Sequence, residues 1–291
     1  MKQYKNVIPQ IVFHFTLAAF SITTFLPFIL SLIVSISDED SVVKNGYKFI
    51  PDQFSLDAYK VILSGNEVAN AYKISIAVTV LGTLLGLLVS SMMAYAISVD
   101  KVKYRNVIAM FMFFTMLFGA GLVPWYIVMT QFLHLRNNIF ALILPMLVSP
   151  YNVFLIRNYF KSLPKALIES AEIEGATPLG TLVKVIIPLS TPIMATIALF
   201  ISLSYWNDWN LSIWLIDKKE LFPIQYMLYK INSNINYLKS EGSRNSAGGI
   251  SLPKETVQMA TVMFTIGPII LMYPFIQKYF VKGIMIGAVK G

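Results

Sequence analysis

Residues 74–99 read ISIAVTVLGTLLGLLVSSMMAYAISV, a run of 26 positions without Asp, Glu, Lys or Arg. A helix of about 20 apolar residues crosses a hydrocarbon core about 30 Å thick, because it rises about 1.5 Å per residue and satisfies its own backbone groups. This run is therefore long enough to span a bilayer. Within it, Gly82, Gly86 and Ser90 lie four residues apart on one face, a spacing that predicts close packing against another helix.

Uncharged runs of this kind recur along the chain. Five more cover 6–37, 106–135, 137–156, 185–207 and 256–277. The whole sequence is 56% hydrophobic and 13% charged, whereas a soluble domain carries about a quarter charged residues. Every charge falls outside the six runs, a segregation that a barrel of alternating strands would not produce. The sequence predicts an all-α membrane protein with six transmembrane helices.

Basic residues predict the orientation of these helices. If the N-terminus is cytoplasmic, the inner segments are 1–10, 99–105, 157–184 and 278–291, and they hold 12 Lys and Arg in 59 residues. The outer segments hold 11 in 85 residues, so the higher density places both termini in the cytoplasm. The net charge of +8 follows this membrane distribution, so no nucleic-acid partner is predicted.

The runs lack the groups that several function classes need. None contains an Asp, Glu, Lys or Arg, and the two histidines, His14 and His134, are interpreted as interfacial or packed residues. This argues against a gradient-driven carrier, which uses ionisable groups inside the membrane. No phosphate-binding loop, paired histidines or nucleophile elbow is present, which argues against an enzyme and against a metal site. Energy for transport would have to come from another chain.

Kinks are predicted where glycine and proline interrupt two of the runs. The third run contains Gly119, Gly121 and Pro124, and the sixth contains Pro268 and Pro274.

The loop 157–184 reads RNYFKSLPKALIESAEIEGATPLGTLVK and carries helix signals. Ser162 is predicted to cap a surface helix with Pro164 in its first turn, and Gly175 is predicted to end it in a left-handed conformation. Apolar positions of this helix recur every four residues, at Leu163, Leu167 and Ala171.

Residues of this loop resemble the EAA motif of ABC importer permeases. That motif runs Glu-Ala-Ala, three residues, Gly, nine residues, Ile, one residue, Leu, Pro. The matching positions here are Glu169, Ser170, Ala171, Gly175, Val185, Ile187 and Pro188. With the wider pattern, the whole chain resembles the binding-protein-dependent (MetI-like) family, in particular sugar permeases related to the second permease subunit of the maltose system.

The resemblance implies a fold, a mechanism and partners. It implies a MetI-like fold whose coupling helix docks on cytoplasmic ATPase subunits that bind ATP, while this chain holds no cofactor. The expected contact residues are Glu169, Ala171, Gly175 and Ala176, with Pro188 setting the start of the fifth helix. A second, non-identical permease subunit and an extracytoplasmic solute-binding protein complete the importer, in a bacterial cell membrane.

The division of the chain follows from this comparison. Residues 1–73 are predicted to form a first helix and external loop, and 74–291 the permease core with inner loop 157–184 and outer loop 208–255. In the related subunit a loop at the latter position reaches the binding protein, and here it contains a Ser- and Gly-rich tract, 240–249.

A polar and aromatic cluster at the outer end of the fifth run allows two interpretations. Its side chains could line a sugar path, or they could anchor the helix at the membrane interface. The cluster comprises Tyr205, Trp206, Asn207, Asp208 and Trp209. The function predicted from the sequence is an importer permease for an oligosaccharide or modified glycan; a different small solute and a gradient-driven carrier remain the alternatives.

Overall fold

The computed structural model of the protein describes residues 7–64, 66–242 and 255–270, and shows helices joined by short connections. Across these ranges, extended pairing is limited to one isolated bridge between Ser37 and Phe54. The α-helices are α1 Val7–Ser35, α2 Glu39–Asn45, α3 Asp57–Leu63, α4 Glu67–Ser98, α5 Arg105–Leu117, α6 Leu122–Ile127, α7 Pro150–Ser162, α8 Lys165–Ile173, α9 Pro178–Thr181, α10 Ile187–Leu189, α11 Thr191–Asn207, α12 Asn210–Leu215, α13 Ile224–Gly242 and α14 Glu255–Ile270. Tighter 3₁₀ turns cover Ile139–Leu142, Leu144–Met146 and Lys219–Leu221, and wider π turns cover Val128–Phe132 and Leu182–Ile186.

The fold is that of an all-α membrane protein, as the sequence predicts. Two helices, α1 and α4, are long and apolar enough to cross a bilayer as single elements. Three further runs are each divided into two helical pieces, bent by 115°, 51° and 89°, and α14 is a shorter apolar helix. Counting each bent pair as one span gives up to five among the described residues, so the number six remains a prediction.

The sharpest of these bends confirms the kink predicted at Gly119 and Gly121. Helix α5 stops at Leu117, and Gly121 has a φ of 82°, in the region that favours glycine. The chain then re-enters α6 at an angle of 115° to α5. The other predicted interruption is absent where it can be seen, because α14 continues through Pro268, whereas Pro274 lies outside the described residues.

Contacts divide the chain into two units. The first contains the described residues among 1–68 and 228–269. Within it, Glu39 caps the start of α14: its carboxylate accepts hydrogen bonds from the Glu255 and Thr256 backbone N–H groups, both at 2.9 Å. Tyr47 donates to Glu255 at 2.6 Å, and burial together with that carboxylate raises the pKa of Tyr47 to about 12.

The second unit, residues 69–227 in its described part, contains the main hydrophobic core. Its centre is formed by aliphatic side chains that are fully buried, among them Ile97, Ile143, Ile156, Ile197 and Leu215. Helix α7 packs against α5 and α11. This packing holds the loop that follows α7 against the end of α4.

Candidate functional site

The first three motif residues, Glu169, Ser170 and Ala171, lie on α8, Lys165–Ile173, a short helix that follows α7 after a two-residue break. The sequence prediction for its start is wrong. Ser162 is the last residue of α7, and its hydroxyl donates to the Tyr159 carbonyl at 2.7 Å instead of capping α8. Pro164 occupies the cap position and makes no side-chain cap bond, so α8 begins because proline fixes the backbone there.

The end of α8 confirms the prediction for Gly175. The φ of Gly175 is 81°, and two backbone hydrogen bonds close the helix. Gly175 N–H donates to the Glu172 carbonyl and Ala176 N–H to the Ala171 carbonyl, both at 3.0 Å. This is the Schellman arrangement, in which a left-handed residue satisfies the last carbonyls of a helix. A Cβ built on Gly175 would meet nothing within 4 Å, so within this subunit its surface is open.

One face of α8 is buried and the other is open. Ala171 is 8% exposed, and Ile168 packs against the core. Leu167 is 42% exposed, so the predicted stripe at spacing four is wrong at this position. On the outward side Ile173 is 87% exposed, and further apolar side chains follow it along the chain at Leu179 and Val183, at 58% and 52%. Exposed apolar side chains are typical of surfaces that contact another protein or a membrane.

Two ion pairs tie α8 to the 99–104 loop, and sequence reasoning missed them. Lys101 Nζ lies 2.5 Å from Glu172 Oε2, and Lys165 Nζ lies 3.1 Å from Asp100 Oδ2. Asp100 also pairs with Arg105 at the start of α5. The bonds from Arg105 and Lys165 lower the pKa of Asp100 to about 2. The partners are 65 and 71 positions apart, so no local pattern could have revealed them.

Glu169 lines a cavity of about 340 Å³ between α8 and that loop. Lys101, Lys165 and Glu172 lie in the same wall. The hydrogen bond with Glu172 is the largest cause of the raised pKa of Lys101, and the negative charge of Glu169 raises it further. The motif carboxylate therefore lies beside a cation of its own subunit.

Pro188 lies in α10, between the π turn Leu182–Ile186 and the 89° bend before α11. Its carbonyl accepts a bond from the Thr191 hydroxyl at 2.7 Å, across that bend. A proline cannot donate a backbone hydrogen bond to the preceding turn, which agrees with the widened helix before it.

Two of the five residues in the cluster predicted at 205–209 are buried. Tyr205 and Trp206 are 4% and 8% exposed, so the interpretation of these two side chains as membrane anchors is wrong. The Tyr205 hydroxyl donates to the Ile143 carbonyl at 2.8 Å. Asp208 accepts from the Leu211 N–H at 3.3 Å, and burial raises its pKa, while Trp209 is 42% exposed.

Asn207 occupies an exposed position in the same cluster, and both the nitrogen and the oxygen of its side-chain amide form hydrogen bonds. It donates to the Leu203 carbonyl at 2.9 Å and accepts from Gln225 at 3.2 Å. The cluster therefore joins the end of α11 to the start of α13.

A groove of about 540 Å³ lies beside Tyr205, between the break before α7 and the C-terminal half of α11. The break places Ser149 at the edge of a helix that starts at Pro150, within the run 137–156. Tyr151 is 55% exposed at this groove, whereas Asn152 is 8% exposed. The non-helical backbone before Pro150 therefore lies beside this groove.

A second unpredicted contact joins two predicted outer loops within the second unit. Asn137 has a left-handed φ of 59°, which asparagine tolerates. Its side-chain oxygen accepts from the Asp217 and Lys218 N–H groups at 2.6 and 3.2 Å. Arg136 Nε lies 3.0 Å from Asp217 Oδ2. The tract 240–249, by contrast, falls outside the described residues after position 242.

These features define a polytopic helical membrane protein with an exposed, glycine-closed motif helix. The chain belongs to the family described as the binding-protein-dependent transport system inner membrane component, which matches residues 79–286. The resemblance seen in the EAA-like spacing is thereby confirmed.

Individual relatives match along the whole chain. It is 35% identical over 287 residues to the polygalacturonan/rhamnogalacturonan transport system permease protein YtcP of Bacillus subtilis, covering 99% of this chain and 100% of that protein. It is 29% identical over 276 residues to the trehalose/maltose transport system permease protein MalG of Thermococcus litoralis, covering 93% of each. A crystal structure of a bacterial ABC transporter involved in import of the acidic polysaccharide alginate contains a chain that is 31% identical, with a TM-score of 0.84 over 96% of this chain and 99% of that one.

Proposed function

We propose that this chain is one of two non-identical permease subunits of an ATP-driven importer for an oligosaccharide. ATP would be bound and hydrolysed by partner ATPase subunits on the cytoplasmic side, and a solute-binding protein would deliver the substrate from outside. The names of the relatives support a saccharide, since they include permeases for polygalacturonan/rhamnogalacturonan and for trehalose/maltose. Both chain termini would be cytoplasmic, as the distribution of basic residues predicts.

The exposed C-terminal end of α8 is the observation that supports ATPase docking at this helix. Gly175 offers a surface without a side chain, and the strongly exposed Ile173 lies beside it. A partner that covers this end would bury apolar surface and could approach the backbone closely at Gly175. Because the helix is closed by backbone bonds, it can transmit a push from that partner as a rigid body.

The residues that the resemblance implies as ATPase contacts differ in how far they are buried. Glu169, Gly175 and Ala176 are exposed and available to a partner, whereas the Ala171 methyl faces the core of its own subunit. We assign Ala171 the role of seating α8 on the subunit. A larger side chain there would displace the helix instead of clashing with the ATPase.

The groove beside Tyr151 is our candidate for the substrate path; Tyr205 contributes to its lining and Trp206 does not. Its lining combines aromatic side chains with the polar groups of Ser149, Asn152 and Ser204, a set that can stack on and hydrogen-bond a sugar. No charged side chain lines it in the described chain. A uronate carboxylate passing here would find no counter-charge from this groove, so any such pairing would fall to the partner permease.

The docking role is tested by substituting Gly175 with Asp in a tagged chain that is co-expressed with the other subunits. Bulk and charge at the open end of α8 should separate the surfaces, so the ATPase should no longer co-purify and uptake should be lost. The matched control is Gly46→Asp, since Gly46 also has a left-handed φ, 74°, and also has nothing within 4 Å of a built Cβ. If the Gly175→Asp transporter retains its ATPase as well as the control does, docking at α8 is refuted.

A further inference from the structure

Helix α8 carries its charges against its own dipole. Lys165 is its first residue and Glu172 lies in its last turn, with no acid in the first turn and no base in the last. A helix has a partial positive charge at its N-terminus and a partial negative charge at its C-terminus, so this arrangement disfavours the isolated helix. Some other element must compensate for both ends.

The 99–104 loop supplies that compensation with adjacent residues of opposite charge. Asp100 pairs with Lys165 at one end of α8, and Lys101 pairs with Glu172 at the other. Lys165 and Glu172 are seven residues apart, which is about two turns, so they lie on the same side of the helix. Two contacts on one side, at opposite ends, restrain rotation and tilt in a way that a single pair would not.

Asp100 is itself held by a second cation. Arg105, at the start of α5, pairs with it, and the side chain of this arginine is only 25% exposed. The loop is further closed by backbone bonds from Val102 to Val99 and from Arg105 to Val102, at 3.3 and 3.4 Å. The charges that face α8 thus project from a short, bonded turn between α4 and α5.

We propose that the 99–104 loop is a brace that sets the orientation of α8, through Asp100 to Lys165 and Lys101 to Glu172. The inference rests on the proposed function, in that α8 is taken as the docking helix. Lys101 and Lys165 also line the cavity with Glu169, so the brace fixes where the motif carboxylate is presented. Asp100 and Lys101 act as positioning residues.

The brace is tested first without the ATPase. A nitroxide spin label is attached to Ile173→Cys, a strongly exposed site in a chain without native cysteine, in vesicles washed free of peripheral subunits. Lys101→Glu and Glu172→Lys should each raise the ratio of mobile to immobile label by up to about fivefold, the upper end of the effect that loss of an exposed ion pair produces. The combined exchange should restore the original ratio, and Lys103→Glu, in the same loop, should leave it unchanged because the Lys103 ammonium lies over the Tyr104 ring.

The second measurement uses the complete transporter with an unlabelled chain. Uptake per ATP hydrolysed should fall in Lys101→Glu and return in the exchanged pair. The proposal is overturned if the label does not respond, if the exchange fails to restore it, or if the label responds while uptake per ATP does not. Because the label is read without ATPase, its failure would leave docking at α8 intact, and failure of the Gly175→Asp experiment would leave the label result standing.

Discussion

At the scale of single residues, Tyr205 shows how glycine on one helix makes room for an aromatic ring from another. A Cβ built on Gly82 would lie 2.5 Å from Tyr205 Cζ and 2.8 Å from Cδ2. The ring cannot move away easily, because it is buried and its hydroxyl is bonded to the Ile143 carbonyl. The small-residue face of α4 is thus filled by a side chain at Gly82, while at Gly86 the Leu147 carbonyl lies 3.2 Å from a built Cβ.

This packing predicts that Gly82→Ala destabilises the protein by about 1–3 kcal/mol, the usual cost of overpacking. Thermal unfolding of the purified chain should therefore occur at a lower temperature. The matched control is Gly267→Ala in α14, where a built Cβ meets nothing within 4 Å. That change should be neutral or stabilising, since alanine favours a helix over glycine by about 0.5–1 kcal/mol. Equal melting temperatures for the two variants would contradict the close approach of Tyr205.

At the scale of elements, the broken runs place side chains that a continuous helix would hide. The break at Leu147–Ser149 turns α7 by 51° from the preceding 3₁₀ turns and brings Tyr151 to the groove beside α11. The 89° bend before α11 likewise separates α10 from α11 within the fifth run. Interrupted helices therefore build the groove at one end of α11 and support the motif helix at the other.

If the groove belongs to the substrate path, bound substrate should protect a cysteine introduced into its lining. Tyr151→Cys should react with a thiol reagent more slowly, about severalfold, when oligogalacturonides and their loaded binding protein are added to the complete transporter, because an occupant blocks access. Phe140→Cys is the control, since Phe140 is similarly exposed, at 49%, but does not line the groove. If the thiol reaction slows at neither position, or slows equally at both, the groove is not part of the substrate path. The same measurement with maltose, an uncharged sugar, serves as the comparison.

At the scale of the whole molecule, the orientation in the membrane decides which face is cytoplasmic and so available to the proposed ATPase. The prediction from basic residues is tested with single cysteines at Val43 and Ser170, both exposed, in this cysteine-free chain. An impermeant thiol reagent applied to protoplasts should label position 43 and spare position 170. Labelling of position 170 alone would reverse the topology, and the docking proposal with it.

The sequence by itself determined the class of protein and the local form of the motif. Segregation of charge from long apolar runs requires helices in a membrane, and the spacing from Glu169 to Pro188 identified the family. Gly175 could be predicted to end a helix, because the left-handed conformation is a property of the residue itself. The start of α8 could not be predicted as well, since Ser162 had the choice of capping α8 or bonding within α7.

Only the tertiary structure decided which side chains are internal and which loops support the motif. Tyrosine and tryptophan are typical of the membrane interface, yet Tyr205 lies in the core cluster and Trp206 is also buried. The pairing of Lys101 with Glu172 joins residues 71 positions apart. Charge and hydropathy patterns record the neighbours of a residue along the chain, and contacts over such distances depend on how bent helices bring their ends together.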